Sequence, residues 1–444
     1  MIRLAGRTLA CFALIALPAA AMAQKEPPDT KQTKDAEKFL GLAMMRQTPD
    51  QKRPLLEQAL KPLQEAMAKN PDNAKVWFMT GQVQVGLGNF LAADSAFRKA
   101  EQLYPAYSED ISGEREVAWV EAFNAGITLM DQKNNDEAIK QLEMAELMYP
   151  HRPEAKMNLG ALYAAKNEPD KAIAAFEGAV TATSGPLKDK LKPEDAANWK
   201  RYAEMATLNI AQISGSAGVE LFNAEKFDEA IAAFNRATKV NPYSRDYLFN
   251  LAQSFYAKAG KIEEARDALL AQEEELKKAK KTADAKAKAD EAAKFVPNLL
   301  PLYAQIAELA ERTLVLDPNN ESLYHLAARS YTLTGRLGEQ AKKTEWENKA
   351  LAVLTKREAI QFEVSEVAIG TGDGEATVRG TVKNLKATAG SPLKLKVTLI
   401  GLAGTPIGES EFTVTAPAVD QTAAFEGKVT TTGEVAGWKY EVVK

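Results

Sequence analysis

Apolar and small residues recur at helical spacing along most of the chain, up to about Thr355. Four stretches share one order, in which a glycine is followed twelve residues later by an alanine. An apolar stripe with a period of 3.6 marks one face of a helix. Turn residues such as Gly88 and Asn89 lie between the glycine and the alanine, so we expect the two to belong to the two helices of a hairpin. The pairs are Gly81 and Ala93, Gly126 and Ala138, Gly160 and Ala172, and Gly218 and Ala230.

Each pair belongs to a longer motif with a physical reason for its spacing. In the first stretch Phe97, Ala100 and Pro105 follow the pair. Glycine and alanine let two helix backbones approach closely, and the large residue fills the hole beside them. The motif resembles the tetratricopeptide repeat, whose period of roughly 34 residues, small residues and closing proline match these spacings. The resemblance implies a solenoid of helical hairpins that acts by binding.

The repeats are unevenly spaced, which indicates two insertions. Gly126 and Gly160 are 34 residues apart, but Gly81 precedes Gly126 by 45 residues and Gly160 precedes Gly218 by 58. We expect the extra residues to lengthen helices or add a turn without breaking the solenoid. They lie near 107–116 and 185–197.

A further repeat and a lysine-rich run are predicted beyond Pro242. Ala265 would lie on the second helix of that repeat. Residues 277–294 are rich in lysine and alanine, which favour helices, and they have no apolar stripe to bury. We interpret this run as an exposed, elongated helix; an arm that binds a polyanion is the alternative. The repeat is marked by Phe249, Ala252, Tyr256 and Ala265.

After about Thr355 the pattern changes to strict alternation of apolar and polar residues. Leu393, Leu395 and Val397 alternate with lysine and threonine, which is typical of a half-buried strand. Six or seven such strands in under a hundred residues predict a β-sandwich.

Four features of the β region carry a second resemblance, namely Val378–Asn384, Leu393–Leu399, the turn at Gly404, and Phe425. With these features the region resembles the FxLyD-type and related immunoglobulin-like domains of bacterial envelope proteins. This resemblance implies a protein of the cell envelope.

The N-terminus predicts a cleavable signal peptide. Arg3 and Arg7 precede a short apolar run, and Ala21–Ala23 matches a cleavage site that would leave Gln24 first. The run is too short for a stable membrane span, and the sole cysteine, Cys11, lies inside it. We therefore expect a soluble, periplasmic or secreted product without a lipid-anchoring cysteine, a disulfide, or a membrane span after cleavage.

Together these patterns predict an all-α tetratricopeptide-repeat solenoid followed by a small all-β sandwich. The expected segments are a signal peptide over 1–23, a disordered linker over 24–33, the solenoid over 34–355 and the β-sandwich domain over 356–444.

No motif for catalysis or metal binding is present. The two histidines, His151 and His325, fall in separate repeats, and no glycine-rich phosphate loop or nucleophile elbow occurs. A zinc site would need several converging ligands. The net charge of −4 gives no general attraction to nucleic acid. We predict a non-enzymatic protein without a cofactor, whose partner is a protein or peptide.

The resemblance to tetratricopeptide repeats implies a concave groove lined by the first helix of each hairpin. Its early part is mostly apolar, with methionines that can repack around varied surfaces, and its later part is polar. The lysine, asparagine and arginine pattern that captures a C-terminal carboxylate in some members is absent. An N-terminal helix of this chain that covers the strip is the alternative to a partner. The predicted groove residues are Phe78, Gln82, Val85, Phe123, Ile127, Met130, Met157, Asn250, Ser254, His325 and Arg329.

We interpret the chain as an exported protein–protein interaction scaffold or adaptor of the bacterial cell envelope. One alternative is a protein that binds an envelope polymer or carbohydrate through exposed aromatics of the β-sandwich, for which Trp438 and Tyr440 are the candidates. Another is an enzyme with an unrecognised site, which would require a cleft with converging acids or histidines.

Overall fold

The structure is a computed structural model that describes residues 25–372 and 374–443. The predicted signal peptide, its cleavage site and Cys11 lie outside the described residues. The chain divides into two compact units, Met1–Pro150 and His151–Lys444. Within the described residues fifteen α-helices precede six β-strands. The predicted solenoid followed by an all-β region is thereby confirmed.

Consecutive helices of the first unit pack in pairs as hairpins. The first insertion adds a turn and lengthens a helix, as predicted. It forms a 3₁₀ turn at Pro105–Tyr107 and extends the first helix of the third hairpin to 24 residues. The helices are α1 (Lys31–Met44), α2 (Pro49–Lys69), α3 (Ala74–Gly86), α4 (Phe90–Leu103), α5 (Ser108–Asp131) and α6 (Asn135–Met148).

The start of α1 shortens the predicted linker. Thr30 caps the helix, because its side chain accepts from the Thr33 backbone and the Thr33 side chain accepts from the Thr30 backbone. Thr33 is buried, so residues 31–33 belong to the helix and not to a linker. The preceding stretch is also bonded to the unit, since the Asn73 side-chain amide donates to the Pro28 carbonyl at 3.0 Å.

The second unit continues the hairpins and then adds the strands. The second insertion becomes a 3₁₀ turn at Lys188–Lys190 and the first turns of a 31-residue helix, as predicted. The helices are α7 (Pro153–Ala165), α8 (Pro169–Thr183), α9 (Pro193–Asn223), α10 (Phe227–Val240), α11 (Arg245–Lys278), α12 (Thr282–Ala293), α13 (Val296–Leu316), α14 (Glu321–Leu337) and α15 (Lys343–Glu358).

Helix α11 corrects the predicted repeat boundary. It runs for 34 residues without a break. It contains no proline, and the good helix formers on both sides of Gly260 carry the helix through that glycine. Ala265 therefore lies exposed in its middle, and not on a second helix. The lysine-rich run is not one elongated helix either. It forms the end of α11 and the separate helix α12, which packs against α11 through the buried Ala285 and Ala292.

The close contact predicted inside each regular hairpin is present. A side-chain carbon placed on Gly160 would lie 2.7 Å from the Phe176 ring, and one on Gly218 would lie 2.8 Å from the Phe234 ring. Real side-chain carbons do not approach other atoms this closely, so only glycine fits. The same contact joins Gly81 to Phe97 and Gly126 to Leu142.

The β region consists of two three-stranded antiparallel sheets, in the orders β1-β2-β5 and β4-β3-β6. Alternate side chains of both sheets form its core, where Val378, Leu395 and Leu399 are fully buried. The strands are β1 (Phe362–Gly372), β2 (Glu375–Asn384), β3 (Pro392–Ile400), β4 (Pro406–Thr415), β5 (Thr422–Thr430) and β6 (Gly437–Val443).

A buried polar network joins the β region to the turns between helices of the second unit. The Tyr440 hydroxyl donates to Asp317 Oδ1 at 2.8 Å, and Arg245 pairs with Asp317 Oδ2 at 3.1 Å. The Arg245 guanidinium also lies 3.7 Å from the centre of the Trp438 ring. Burial and the Asp317 carboxylate raise the pKa of Tyr440, which keeps its hydroxyl a donor. We name Arg245, Asp317, Trp438 and Tyr440 the docking network.

The docking network corrects one sequence-based expectation. Trp438 and Tyr440 were expected as exposed aromatics of a sheet face, but Tyr440 is only 1% exposed and Trp438 lies beneath Arg245. Period-two alternation assigned these side chains to a face of β6, but it does not show what packs on that face. The remaining aromatics of the β region, Phe362, Phe412 and Phe425, are buried.

A pair of substitutions in α5 tests the hairpin contact. In Gly126→Ala the added methyl lies 2.8 Å from Leu142, and we expect the free energy of unfolding to fall by about 1–3 kcal/mol. Gly113→Ala meets nothing within 4 Å, so we expect stabilisation by up to about 1 kcal/mol from helix propensity. Urea titration followed by circular dichroism measures both. Equal effects would contradict the assigned packing.

A substitution in β6 tests the docking network. Tyr440→Phe keeps the ring but removes the donor to the buried Asp317, and we expect a loss of about 1.5–3 kcal/mol of stability. Val442→Thr, on the same strand at a 43% exposed position, should change stability by less than about 0.5 kcal/mol. Differential scanning calorimetry compares them. Unchanged stability of Tyr440→Phe would show that the network does not hold the β region.

Candidate functional site

The first predicted groove residues are engaged by the insertion between α4 and α5. The Phe78 ring stacks on Tyr107 with centroids 4.9 Å apart and planes 16° apart. The Gln82 amide donates to Glu114 at 2.6 Å, and Val85 is buried. Tyr107 and Glu114, which contact Phe78 and Gln82 of the predicted strip, both come from the insertion.

The N-terminal stretch borders the same place. Burial raises the pKa of Tyr107 to about 12, and the Glu26 and Asp29 carboxylates add to the rise. Both carboxylates therefore lie near the ring that covers Phe78. This end of the predicted strip is closed by residues of the chain itself.

The next predicted residues lie on α5 and remain half-buried. Phe123 stacks on Trp119 of the same helix, with centroids 4.8 Å apart and planes 8° apart. Ile127 and Met130 follow Phe123 at helical spacing, so the three share one face. Met157 is half-buried on α7 of the second unit. None of these contacts separates a packing role from a binding role.

An open apolar pocket lies in the second unit, between α9 and α11. Its volume is about 350 Å³. The buried Phe234 ring of α10 forms its floor, and the half-buried rings of Phe222 and Phe249 line it. Val219, which is 42% exposed, stands at its edge. The full lining, which we name the α9–α11 pocket, is Val219, Phe222, Asn223, Phe234, Phe249, Asn250 and Gln253.

The polar part of the pocket consists of amides. Asn223, Asn250 and Gln253 each carry a carbonyl acceptor and an NH₂ donor, and no charged side chain is among the described residues that line the pocket. Amides can bond to both the N–H and the C=O groups of a peptide backbone. The pocket therefore offers an apolar hollow with neutral, two-way hydrogen-bonding groups at its rim.

Of the pocket residues, the sequence analysis predicted only Asn250 for the groove, and it named Phe249 as a marker of the repeat. Its companion Ser254 is fully buried and its hydroxyl donates to the Asn250 carbonyl at 2.8 Å, so Ser254 packs inside the repeat. The spacing after the glycine of the repeat could have predicted two further pocket residues. Val219 and Phe222 follow Gly218 by one and four positions, as Gln82 and Val85 follow Gly81.

One stripe of α11 leads from the pocket to a charged cluster. Phe249, Gln253 and Tyr256 follow each other at helical spacing, and the guanidinium of Arg329 lies 5.5 Å from the centre of the Tyr256 ring. Arg329 Nη2 pairs with Glu263 Oε2 at 3.1 Å, and the Tyr303 hydroxyl donates to the same carboxylate. Arg329 remains 51% exposed.

Comparison with known proteins supports the repeat assignment. Residues 56–108, 123–185 and 216–279 match the family model of the tetratricopeptide repeat. The helical part of the chain is a tetratricopeptide-repeat solenoid. The third matched stretch contains every residue of the α9–α11 pocket.

The chain is similar to several solved structures at low sequence identity. The tetratricopeptide-repeat domain of P58(IPK) is 15% identical, over 73% of this chain and 99% of that one, with a TM-score of 0.21. PilF of Pseudomonas aeruginosa is 18% identical, over 59% and 100%, with a TM-score of 0.17. A repeat protein from Parabacteroides merdae is 15% identical, over 72% and 99%, with a TM-score of 0.18. Scores this low support no argument from whole-chain shape. None of the curated proteins matches the chain.

A larger hollow next to the tetratricopeptide-repeat solenoid is part of its contact with the β region. It measures about 730 Å³ and lies between the first turns of α9 and loops of the β region. Arg201 Nε pairs with Glu434 at 3.1 Å across it, so its strongest charges satisfy each other. We therefore do not assign it a ligand.

Among the described residues, no group of three or more histidine, cysteine, aspartate or glutamate side chains is placed to hold a metal ion. No helix in the same residues has the length and apolar character that crossing a membrane requires.

Proposed function

We propose that the chain is an exported scaffold or adaptor of the bacterial cell envelope, whose repeat solenoid binds a segment of a partner protein in the α9–α11 pocket. The observation that carries this proposal is the open apolar pocket between two first helices of successive hairpins. Its volume of about 350 Å³ falls within the range of roughly 300–1,000 Å³ that is typical of ligand pockets.

The composition of the pocket favours a peptide over a small polar metabolite. Phe222 and Phe249 present aromatic surface that stays accessible to solvent, and aromatic residues usually contribute a large share of interface energy. A charged metabolite would need a charged partner, whereas the rim consists of amides. A peptide supplies both an apolar side chain for the hollow and backbone groups for the rim.

The envelope part of the proposal rests on the sequence. Arg3, Arg7 and the cleavage motif at Ala21–Ala23 motivate export, and the resemblance of the β region to envelope domains supports the same compartment. The β region then acts as a clamp on the solenoid through the docking network. Because its aromatic rings are buried or docked, it offers no stacking platform for a sugar, and we do not propose carbohydrate binding.

A substitution in the pocket tests the binding function. Phe249→Ala removes an aromatic wall of the pocket, and we expect partner affinity to fall about tenfold or more while helix content is retained. Leu351→Ala on α15, at a 63% exposed position outside the pocket, is the matched control. Partners are captured from periplasmic extract on the mature protein, identified by mass spectrometry and titrated individually. Equal affinity of both variants for every partner would exclude the pocket.

Export is tested separately from binding. We expect the native protein to be recovered from the periplasmic fraction with Gln24 as its first residue, because cleavage should follow Ala23. N-terminal sequencing gives the answer, and replacing Ala21 and Ala23 by leucine should block processing. A cytoplasmic product that still begins with Met1 would contradict export.

A further inference from the structure

The stripe of α11 formed by Phe249, Gln253 and Tyr256 leads from the pocket to the Arg329 guanidinium. This positive charge favours some peptide ligands over others. We propose that the site selects an extended, polyproline II-like segment with an apolar residue for the α9–α11 pocket and an acidic residue three positions away for Arg329. This inference rests on the proposed peptide-binding function and specifies its ligand.

The spacing follows from helix geometry. Phe249 and Tyr256 are seven residues apart on α11, which at about 1.5 Å per residue is roughly 10 Å along the helix axis. A polyproline II segment rises about 3.1 Å per residue and has three residues per turn. Side chains at i and i+3 therefore point the same way, roughly 9 Å apart. This is close to the rise along α11 from Phe249, in the pocket wall, to Tyr256, whose ring centre lies 5.5 Å from the Arg329 guanidinium.

The charge of the second residue follows from the contacts of Arg329. Its guanidinium uses Nη2 toward Glu263 and one face toward Tyr256, while a guanidinium has five N–H donors. Half of the side chain is exposed, so donors face solvent. Glu263 is itself 15% exposed and also accepts from the Tyr303 hydroxyl. The Glu263 carboxylate therefore keeps the hydrogen bond from Tyr303 when Arg329 also binds a carboxylate of the ligand.

His325 can add a hydrogen-bond donor for an acidic residue, because an imidazole carries an N–H group. It lies four positions before Arg329 on α14 and is exposed, so the two side chains share one face of the helix. A basic residue on the bound segment would instead meet the like charge of Arg329. The charge at this end of the site therefore favours acid over base.

The amides explain why the segment is extended. A helical ligand satisfies its own backbone groups, which would leave Asn223, Asn250 and Gln253 without partners on it. A polyproline II segment makes no internal hydrogen bonds, so its N–H and C=O groups can bond to these amides. The three rim amides thus match an extended backbone.

Defined peptides test the inference. Fluorescein-labelled nonapeptides of alanine, serine and proline carry one leucine and either aspartate or lysine three positions after it, and a second pair carries the charge three positions before it. Fluorescence anisotropy with the full chain at low salt gives the affinities. In one of the two pairs, with the charge either after or before the leucine, we expect the aspartate peptide to bind about fivefold more tightly than the lysine peptide.

Variants assign the preference to Arg329. We expect Arg329→Gln to reduce the aspartate-over-lysine ratio to within about twofold, whereas Arg312→Gln, at an exposed position of α13, should keep it. Phe249→Ala should weaken all the peptides. If the aspartate and lysine peptides bind equally tightly in both pairs, this inference is wrong and the proposed peptide binding still stands. If none of them binds, the inference fails together with the proposed function.

Discussion

The contact between a small residue of the first helix and a large residue of the second sets the helix spacing in each regular hairpin. At Gly218 and Phe234 the ring lies where a side chain would otherwise be, so only glycine allows the two helices to approach this closely. The same Phe234 ring forms the floor of the α9–α11 pocket. One packing constraint thus fixes both the repeat and the base of the candidate site.

The second determinant of the site is the β region. The β region contacts the turn before α11 and the first residue of that helix. In the turn, the side-chain amide of Asn241, which follows α10, donates to the Ala436 carbonyl at 2.6 Å. Arg245 of the docking network is the first residue of α11. Phe249 and Asn250, in the pocket, follow Arg245 by about one helical turn. A clamp at this position fixes the helix that forms one pocket wall. Repeats usually depend on their neighbours alone, but here a separate sandwich also supports one of them.

Sequence reasoning recovered what depends on local spacing and missed what depends on tertiary partners. The twelve-residue offset placed Gly126 and Ala138 correctly on two helices, because each hairpin is a local unit. Ala265 was misplaced because α11 continues through Gly260, the residue at which the repeat period predicted the turn between two helices. The face of Tyr440 could be predicted from alternation, but Asp317, its partner 123 residues away, could not. The pocket residues Val219 and Phe222 could have been predicted from their spacing after Gly218. The stacking of Tyr107 on Phe78 could not, because it depends on how the insertion folds back.

Site-specific photocrosslinking in living cells tests the central claim, that the α9–α11 pocket holds a partner protein. A photoreactive phenylalanine analogue replaces Gln253 at the rim in one strain and Arg312, on another face of the second unit, in a control strain. The account predicts a covalent adduct of higher mass at position 253 that disappears when Phe249→Ala is added, and none at position 312. Adducts at position 312 but not at 253, or an adduct at 253 that persists with Phe249→Ala, would contradict it.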